Sequence, residues 1–140
     1  MTNSSENDGR IPASNIVLDS SALLAAILDE PGAEVVREHL RDGASISAIN
    51  LCEVVSKLAR DGYSEDQISS TLTTFHFSVV DLGEETAFNA GLLVRQTSSL
   101  GLSMGDRCCL ALARELGLRV LTADRIWAQL DVGVEVVVCR

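Results

Sequence analysis

The chain has 140 residues and a mass of 14.9 kDa, the size of one domain. Hydrophobic residues make up 46% of it and charged residues 22%, a composition typical of folded globular proteins and not of disordered chains. No apolar run approaches the ~18 residues of a membrane helix. The polar start of the chain matches no secretion or transit signal, so we expect a cytoplasmic protein with no membrane contact. A net charge of −9 argues against nucleic-acid binding through a basic surface.

Short β-branched runs alternate with helical stretches along the chain. Residues 1–14 are polar and are predicted to form a flexible tail, and residues 15–140 the folded domain. The predicted elements are, in chain order, strand 16–18, helix 20–28, a helix between Pro31 and Gly43, strand 44–47, helix 49–60, a helix opened by Ser64 and Gln67, strand 77–82, helices 84–97 and 104–116, strand 119–122, a short helix 125–130 and strand 134–139.

This alternation predicts the α/β class. Strands separated by helices form a parallel sheet with helices on both faces, and right-handed crossovers leave few possible topologies. Five strands suit a single doubly wound domain with the order 3-2-1-4-5. In such a sheet the first and fourth strands are neighbours, and functional sites form outside their carboxyl ends.

Acidic side chains fall at this edge of the predicted sheet. Asp19 ends the first strand and Asp124 follows the fourth, and neighbouring strands lie ~4.8 Å apart, so the two carboxylates can share a cation. Asp106 lies in the first turn of the helix that feeds the fourth strand. Glu53 lies near the start of the helix after the second strand. Four acids from four regions therefore converge on one rim.

Each acid also has a structural interpretation that needs no ligand. Asp19 and Asp124 stand at helix N-cap positions, and Asp106 has capping-box spacing from a preceding serine. Glu53 precedes Lys57 by four residues, the spacing of an ion pair, and a helical wheel places it on a solvated face. On this interpretation the domain is a non-catalytic binding module whose acids are helix caps.

The acids considered together favour a metal site. The helix after Asp106 is apolar nearly all round, which predicts that it is buried, and a crowd of buried carboxylates is unfavourable unless a cation neutralises it. Oxygen ligands without histidine or cysteine at ligand spacing select Mg²⁺ or Mn²⁺ over Zn²⁺. Such a site suits metal-assisted hydrolysis of phosphodiesters.

Four segments of the chain resemble the acidic motifs of PIN-domain ribonucleases. The similarity covers about residues 15–139 in the order and at about the spacing of that family, and its third segment is the most specific. The length resembles that of the VapC-type toxins of bacterial toxin–antitoxin pairs. The segments are IVLDSSAL at 16–23, NLCEV at 50–54, LSMGDRCCLALA at 102–113 and LTAD at 121–124.

The resemblance implies a metal-dependent endoribonuclease. Asp19, Glu53, Asp106 and Asp124 take the positions of the catalytic and metal-binding acids, with Mg²⁺ or Mn²⁺ as the cofactor. The implied substrate is structured RNA, either transfer or ribosomal, and water activated by the metal is expected to leave a 5′-phosphate and a 3′-hydroxyl. The implied partners are a VapB-like antitoxin and a second copy of the chain in a homodimer.

Neighbours of the acids suggest further roles. Ser20 and Thr122 are candidates for orienting the carboxylates or the waters of a metal, or for bonding the local backbone. Arg107 and Arg125 directly follow two of the acids and are candidate contacts for RNA phosphates, or surface charge partners. Trp127 is expected to anchor the core or the dimer interface.

Overall fold

The computed structural model describes residues 14–140, so the predicted tail at 1–14 lies outside the described residues except for Ser14. Its elements are β1 Ile16–Leu18, α1 Ser20–Leu28, α2 Ala33–Asp42, β2 Ser45–Ser47, α3 Ala48–Arg60, α4 Glu65–Thr74, β3 Ser78–Val80, α5 Glu84–Leu92, α6 Val94–Thr97, a 3₁₀ turn Ser98–Leu100, α7 Met104–Leu116, β4 Arg119–Thr122, a 3₁₀ turn Arg125–Gln129 and β5 Val136–Val138.

The five strands form one parallel sheet with the order β3-β2-β1-β4-β5, which confirms the predicted topology. In the centre, Val17 of β1 pairs with Ser45 of β2 on one side and with Val120 of β4 on the other. β1 is fully buried, as expected for an apolar strand with a layer of helices on each face. This arrangement brings the carboxyl ends of β1, β2 and β4 to one edge of the sheet.

Each face of the sheet has its own core, because successive strand residues point to opposite faces. Ile16 and Leu18 pack with apolar side chains of α1 to α4 on one face. Val17 packs on the other face with side chains of α5 and α7 and with Trp127, which is only 1% exposed. The predicted core anchor at Trp127 is therefore confirmed. The cores fix the helices whose first turns surround the carboxyl edge.

Several predicted boundaries differ from the structure. The helix predicted at 84–97 is divided into α5 and α6 at Leu93, whose carbonyl accepts a hydrogen bond from the Thr97 hydroxyl at 2.9 Å. The short helix predicted at 125–130 is a 3₁₀ turn, Arg125–Gln129, begun by a side-chain cap from Asp124. Strands β3 and β5 are shorter than predicted because only their central residues pair with a neighbour. Among the helices described, none is long and apolar enough to cross a membrane.

Candidate active site

The four predicted acids line one cavity of about 310 Å³ at the carboxyl edge of the sheet. We call this the acidic cavity. Each acid comes from a different element: Asp19 joins β1 to α1, Glu53 lies in the second turn of α3, Asp106 in the first turn of α7, and Asp124 follows β4. The complete lining is Asp19, Ser20, Ser21, Leu24, Glu53, Lys57, Arg60, Asp106 and Asp124.

Asp19 is buried and does not cap its helix. Although it occupies the N-cap position of α1, its side chain makes no capping hydrogen bond and is held from the side. Its Oδ2 accepts hydrogen bonds from the Ser21 hydroxyl at 2.6 Å and from the Thr122 hydroxyl at 2.9 Å. The pairing of Leu18 with Leu121 explains the second contact, since it sets Asp19 beside Thr122. The cap interpretation is therefore wrong for Asp19. Thr122 contacts both the Asp19 carboxylate and the local backbone, because its Oγ1 also accepts a hydrogen bond from the Asp124 N–H at 3.0 Å.

Glu53 points into the cavity and is not on a solvated face. Its Oε1 accepts hydrogen bonds from the Ser20 hydroxyl and from Nδ2 of Asn50, the latter at 3.0 Å. The ion pair proposed between Glu53 and Lys57 is also wrong, because Lys57 pairs with Asp61 at 3.0 Å. The helical wheel failed because the polar face of α3 covers the cavity instead of facing bulk water. Ser20 thus supports Glu53, and its neighbour Ser21 supports Asp19.

Asn50 is a site residue that the sequence interpretation missed. It is fully buried, and its Nδ2 lies 3.0 Å from Glu53 Oε1, 3.2 Å from Ser20 Oγ and 3.0 Å from the Gly105 carbonyl oxygen. Its Oδ1 accepts from the Ser47 hydroxyl at 2.5 Å. One amide therefore ties the start of α3 to α1 and to the first turn of α7. The available signal was its spacing, three residues before Glu53 on the same helix face.

Asp106 and Asp124 do act as caps. Oδ2 of Asp106 accepts from the backbone N–H of Ser103 at 2.9 Å, which completes a capping box, and Oδ1 of Asp124 accepts from the N–H of Ile126 at 3.1 Å. A cap uses only one carboxylate oxygen. The structural interpretation is thus correct for these two residues without excluding a second role.

All four carboxylates share one hydrogen-bonding pattern: the hydrogen bonds of good geometry that they accept from residues 14–140 fall on one oxygen. The uncommitted oxygens are Oδ1 of Asp19, Oε2 of Glu53, Oδ1 of Asp106 and Oδ2 of Asp124. Each carboxylate is held in place through one atom. The other atom is available to a ligand in the cavity.

Charge repulsion accompanies this arrangement. The pKa of Asp19 is raised from 3.8 to about 6, chiefly because the side chain is buried and also because Asp106 is negatively charged, while the Ser21 and Thr122 hydrogen bonds oppose the rise. Burial also raises the pKa of Asp106, with the charges of Glu53 and Asp124 acting in the same direction. Negative charge is therefore unfavourable in the cavity as it stands, and a cation bound there would relieve it.

The donor set fits a hard divalent cation. The free ligands are carboxylate oxygens, which Mg²⁺ prefers, and Mg²⁺ characteristically binds through one or two carboxylates and keeps several waters. In the described part of the chain, no three histidine, cysteine, aspartate or glutamate side chains stand around a single point that could hold an ion. The arrangement therefore suits a partly hydrated ion rather than a cage of protein ligands.

The two predicted RNA-contacting arginines take different positions. Arg107 turns toward α5, where its Nη1 donates to the Ala90 carbonyl at 3.1 Å, and it does not line the acidic cavity. Its expected phosphate contact has no support in this geometry, because the packing of α5 against α7 draws the side chain away. Arg125 lies beside Asp124 and lines a neighbouring cavity.

Comparisons with known proteins agree with this geometry. The family model described as the PIN domain matches residues 16–133. Among curated protein sequences, none matches this chain. A DNA-bound VapBC from Salmonella typhimurium is similar with a TM-score of 0.73 and 17% identity, covering 91% of this chain and 99% of that one.

Two further solved structures show the same fold. A toxin–antitoxin complex from Klebsiella pneumoniae has a TM-score of 0.70 and 21% identity, covering 89% of this chain and 98% of that one. VapC20 from Mycobacterium tuberculosis, described as a sarcin–ricin loop cleaving toxin, has a TM-score of 0.65 and 15% identity, covering 86% of this chain and 98% of that one.

Proposed function

This chain belongs to the PIN domain family, and we propose that it is a metal-dependent endoribonuclease of the VapC type, the toxin of a toxin–antitoxin pair. The observation that carries the proposal is the acidic cavity, in which carboxylates from four elements each keep one oxygen uncommitted. Helix caps alone do not explain this. Asp19 and Glu53 cap nothing, yet they are held by dedicated side-chain donors.

In this proposal Asp19, Glu53, Asp106 and Asp124 hold one or two Mg²⁺ or Mn²⁺ ions. When bound, such an ion lowers the pKa of a water molecule and stabilises the charge that develops on a phosphate. The hydrolysis breaks the bond between phosphorus and O3′ and leaves a 5′-phosphate and a 3′-hydroxyl. Without the cation, the repulsion among the carboxylates keeps a polyanion away, so RNA cleavage depends on the metal.

The surrounding side chains fix the acids before substrate arrives. Ser21 and Thr122 orient Asp19, and Ser20 and Asn50 orient Glu53. The capping bonds do the same for the other two acids. Carboxylates that are already oriented lose little entropy when they bind a cation, so this support favours metal affinity.

The substrate and partners follow from the relatives. One structural relative is described as a sarcin–ricin loop cleaving toxin, one as a toxin–antitoxin complex and one as a DNA-bound VapBC. We therefore propose structured RNA, transfer or ribosomal, as the substrate and a VapB-like antitoxin as a partner. We also propose a homodimer. The antitoxin would block access to the acidic cavity.

The second candidate is a binding module without catalysis. The observation in its favour is that Asp106 and Asp124 are real caps. It predicts that the chain binds no Mn²⁺ and that replacing Asp106 costs only stability.

Cleavage of total bacterial RNA separates the two. The antitoxin-free protein is incubated with RNA in Mg²⁺, in Mn²⁺ and in EDTA, and new 5′ ends are sequenced. We expect discrete cuts with either metal and none in EDTA. The Asp106→Asn variant should lose the cuts yet stay folded, since the amide oxygen still accepts the hydrogen bond from Ser103.

Asp66→Asn is the matched control. Asp66 also lies in the first turn of a helix that begins with a capping box, but it is exposed and outside the acidic cavity. The Asp66→Asn variant should cleave RNA as the wild type does. Cuts that persist in EDTA or in folded Asp106→Asn contradict the mechanism, and the absence of both cleavage and Mn²⁺ binding favours the binding module.

A further inference from the structure

A second cavity of about 660 Å³ adjoins the acidic cavity. We call it the arginine cavity. The two cavities share Ser21 and Asp124 in their linings, so a molecule that occupies the arginine cavity lies directly beside the proposed reaction centre. Its volume falls in the range of about 300–1,000 Å³ that is usual for ligand sites. The complete lining is Ser21, Pro31, Ala123, Asp124, Arg125 and Arg140.

Arg125 is anchored with its terminal nitrogens unused. Its Nε donates to the main-chain oxygen of Arg140 at 3.0 Å, while Nη1 and Nη2 make no hydrogen bond to residues 14–140. Arg125 and Arg140 are both exposed. A guanidinium held at one end and open at the other is suited to bind phosphate through two parallel hydrogen bonds.

Arg140 is held in a similar way. Its Nη1 lies 3.4 Å from Glu30 Oε1 and 3.3 Å from the Pro31 carbonyl oxygen. Its Nη2 and Nε have no hydrogen-bond partner in the described chain. The side chains of Arg140 and Glu30 are 34% and 40% exposed, so water weakens the ion pair between them. A phosphate that displaced Glu30 would therefore sacrifice little stabilising energy.

The positive charges of Arg125 and Arg140 lie close together in a chain whose net charge is negative. The net charge is −9, and two of the other arginines are already committed: Arg37 pairs with Asp29 and Glu34, and Arg107 binds the α5 backbone. Arg125 and Arg140 border the acidic cavity next to Asp124, while Lys57 and Arg60 lie in the lining of the acidic cavity itself. Local positive charge there offsets the repulsion that the acids exert on RNA.

We propose that the arginine cavity binds the nucleotide next to the scissile phosphate of a single-stranded RNA segment, with Arg125 and Arg140 holding its phosphate. The proposal rests on the proposed nuclease function and adds the position of the substrate strand. Single-stranded RNA is favoured because one splayed nucleotide fits a cavity of this size, whereas a duplex cannot enter it.

The test is RNA binding without cleavage. A short fluorescent single-stranded RNA of mixed sequence is titrated at several KCl concentrations, with Mg²⁺ held at one fixed concentration, against protein that carries Asp106→Asn. In this background Arg125→Gln and Arg140→Gln are combined and compared with Arg95→Gln, which removes one charge from an exposed position on α6 outside both cavities. We expect the double variant to reduce the slope of log K against log salt by roughly 0.7, the value for the one RNA phosphate that the two arginines no longer neutralise. Arg95→Gln should leave the slope unchanged.

A double variant whose slope equals that of the Arg95→Gln control overturns the proposal, and so does a parent protein that binds no RNA at any salt concentration. The two proposals fail in different ways. If the wild-type chain cuts RNA but the slopes are equal, only the arginine cavity is wrong. If the slope falls but no metal supports cleavage, the cavity stands and the nuclease function is wrong.

Discussion

The carboxylate of Glu53 lies directly against the backbone of Gly105. A Cβ atom on Gly105 would come within 2.7 Å of Glu53 Oε1 and closer still to Oε2, and no rotation of a methyl group relieves that overlap. The same glycine accepts the hydrogen bond from Asn50 through its carbonyl oxygen. Close approach of α3 to the first turn of α7 therefore sets the position of Glu53 relative to Asp106.

Gly105→Ala should abolish most cleavage without unfolding α7. Alanine is the better helix former by about 1 kcal/mol, so local propensity favours the variant, while its methyl group displaces the Glu53 carboxylate. Misplacement of a functional group by about 1 Å can reduce activity about a hundredfold, and we expect a fall of that order in kcat/KM. Circular dichroism should show the same helix content as in the wild type.

Gly91→Ala is the matched control, because Gly91 is also helical and a Cβ atom there meets nothing within 4 Å. It should cleave normally. Full activity in Gly105→Ala would show that Glu53 has no place in the reaction.

Asn50→Asp should destabilise the fold and abolish cleavage. The new carboxylate takes the place of an amide that lies 3.0 Å from Glu53 Oε1 and 3.0 Å from the Gly105 carbonyl oxygen, so two donors are lost and like charges face each other in a buried position. We expect a loss of about 2–4 kcal/mol in the free energy of unfolding. Urea denaturation measures this loss of stability. Asn89→Asp is the control, because Asn89 is a half-buried residue of α5. Equal stability of the two variants would contradict the role given to Asn50.

The sheet and the four acids were predictable because they depend on local patterns. Alternating strands and helices define the strand order, and the order in turn decides which strand ends meet. Asp19 and Asp124 follow strands that are neighbours for that reason. The identity of the acids needed no side-chain geometry, only their position relative to the ends of elements.

The partners of the acids depended on packing that no local pattern carries. Ser20 and Ser21 are adjacent in sequence, yet the direction in which α1 begins assigns Ser21 to Asp19 and Ser20 to Glu53. The orientation of Arg107 depends on α5, which packs against α7 from 17 residues away. Glu53 faced solvent on a helical wheel because a wheel does not show that a cavity lies beside the helix.

Thr122→Val should weaken metal binding and raise the pKa of Asp19 further. Valine keeps the shape and removes a hydroxyl that donates to Asp19 Oδ2 at 2.9 Å, a hydrogen bond that favours the ionised form. Loss of such a supporting donor typically reduces metal affinity or activity by about 10–100-fold. Calorimetry measures the Mn²⁺ affinity of the variant. Carboxyl NMR in EDTA measures the pKa of Asp19.

Thr97→Val provides the comparison for Thr122→Val. Thr97 is a buried threonine whose hydroxyl binds a backbone carbonyl away from the cavity. It should lose stability but keep its Mn²⁺ affinity. If both variants bind Mn²⁺ as the wild type does, Thr122 does not support a metal ligand.

Asp19→Asn should stabilise the metal-free protein at neutral pH. The folded pKa of Asp19, about 6, lies above the unfolded value of 3.8, so the folded state binds more protons between these values and the wild type loses stability as the pH rises through them. Asparagine keeps an oxygen that can accept from Ser21 and Thr122 and carries no charge. In EDTA the variant should therefore match the wild type below about pH 4 and exceed it by roughly 3 kcal/mol above about pH 6, the difference that the two pKa values imply.

Urea denaturation of both proteins across this pH range measures the difference, and the subtraction cancels the other titrating groups. Mn²⁺ should reverse the order at neutral pH, because a bound ion stabilises only the protein that retains the buried carboxylate, by an amount that grows with its concentration relative to Kd. Asp66→Asn, which replaces an exposed carboxylate, should show neither effect. If the difference in the free energy of unfolding stays constant with pH, burial does not raise the pKa of Asp19. A bound cation would then have no repulsion to relieve at this residue.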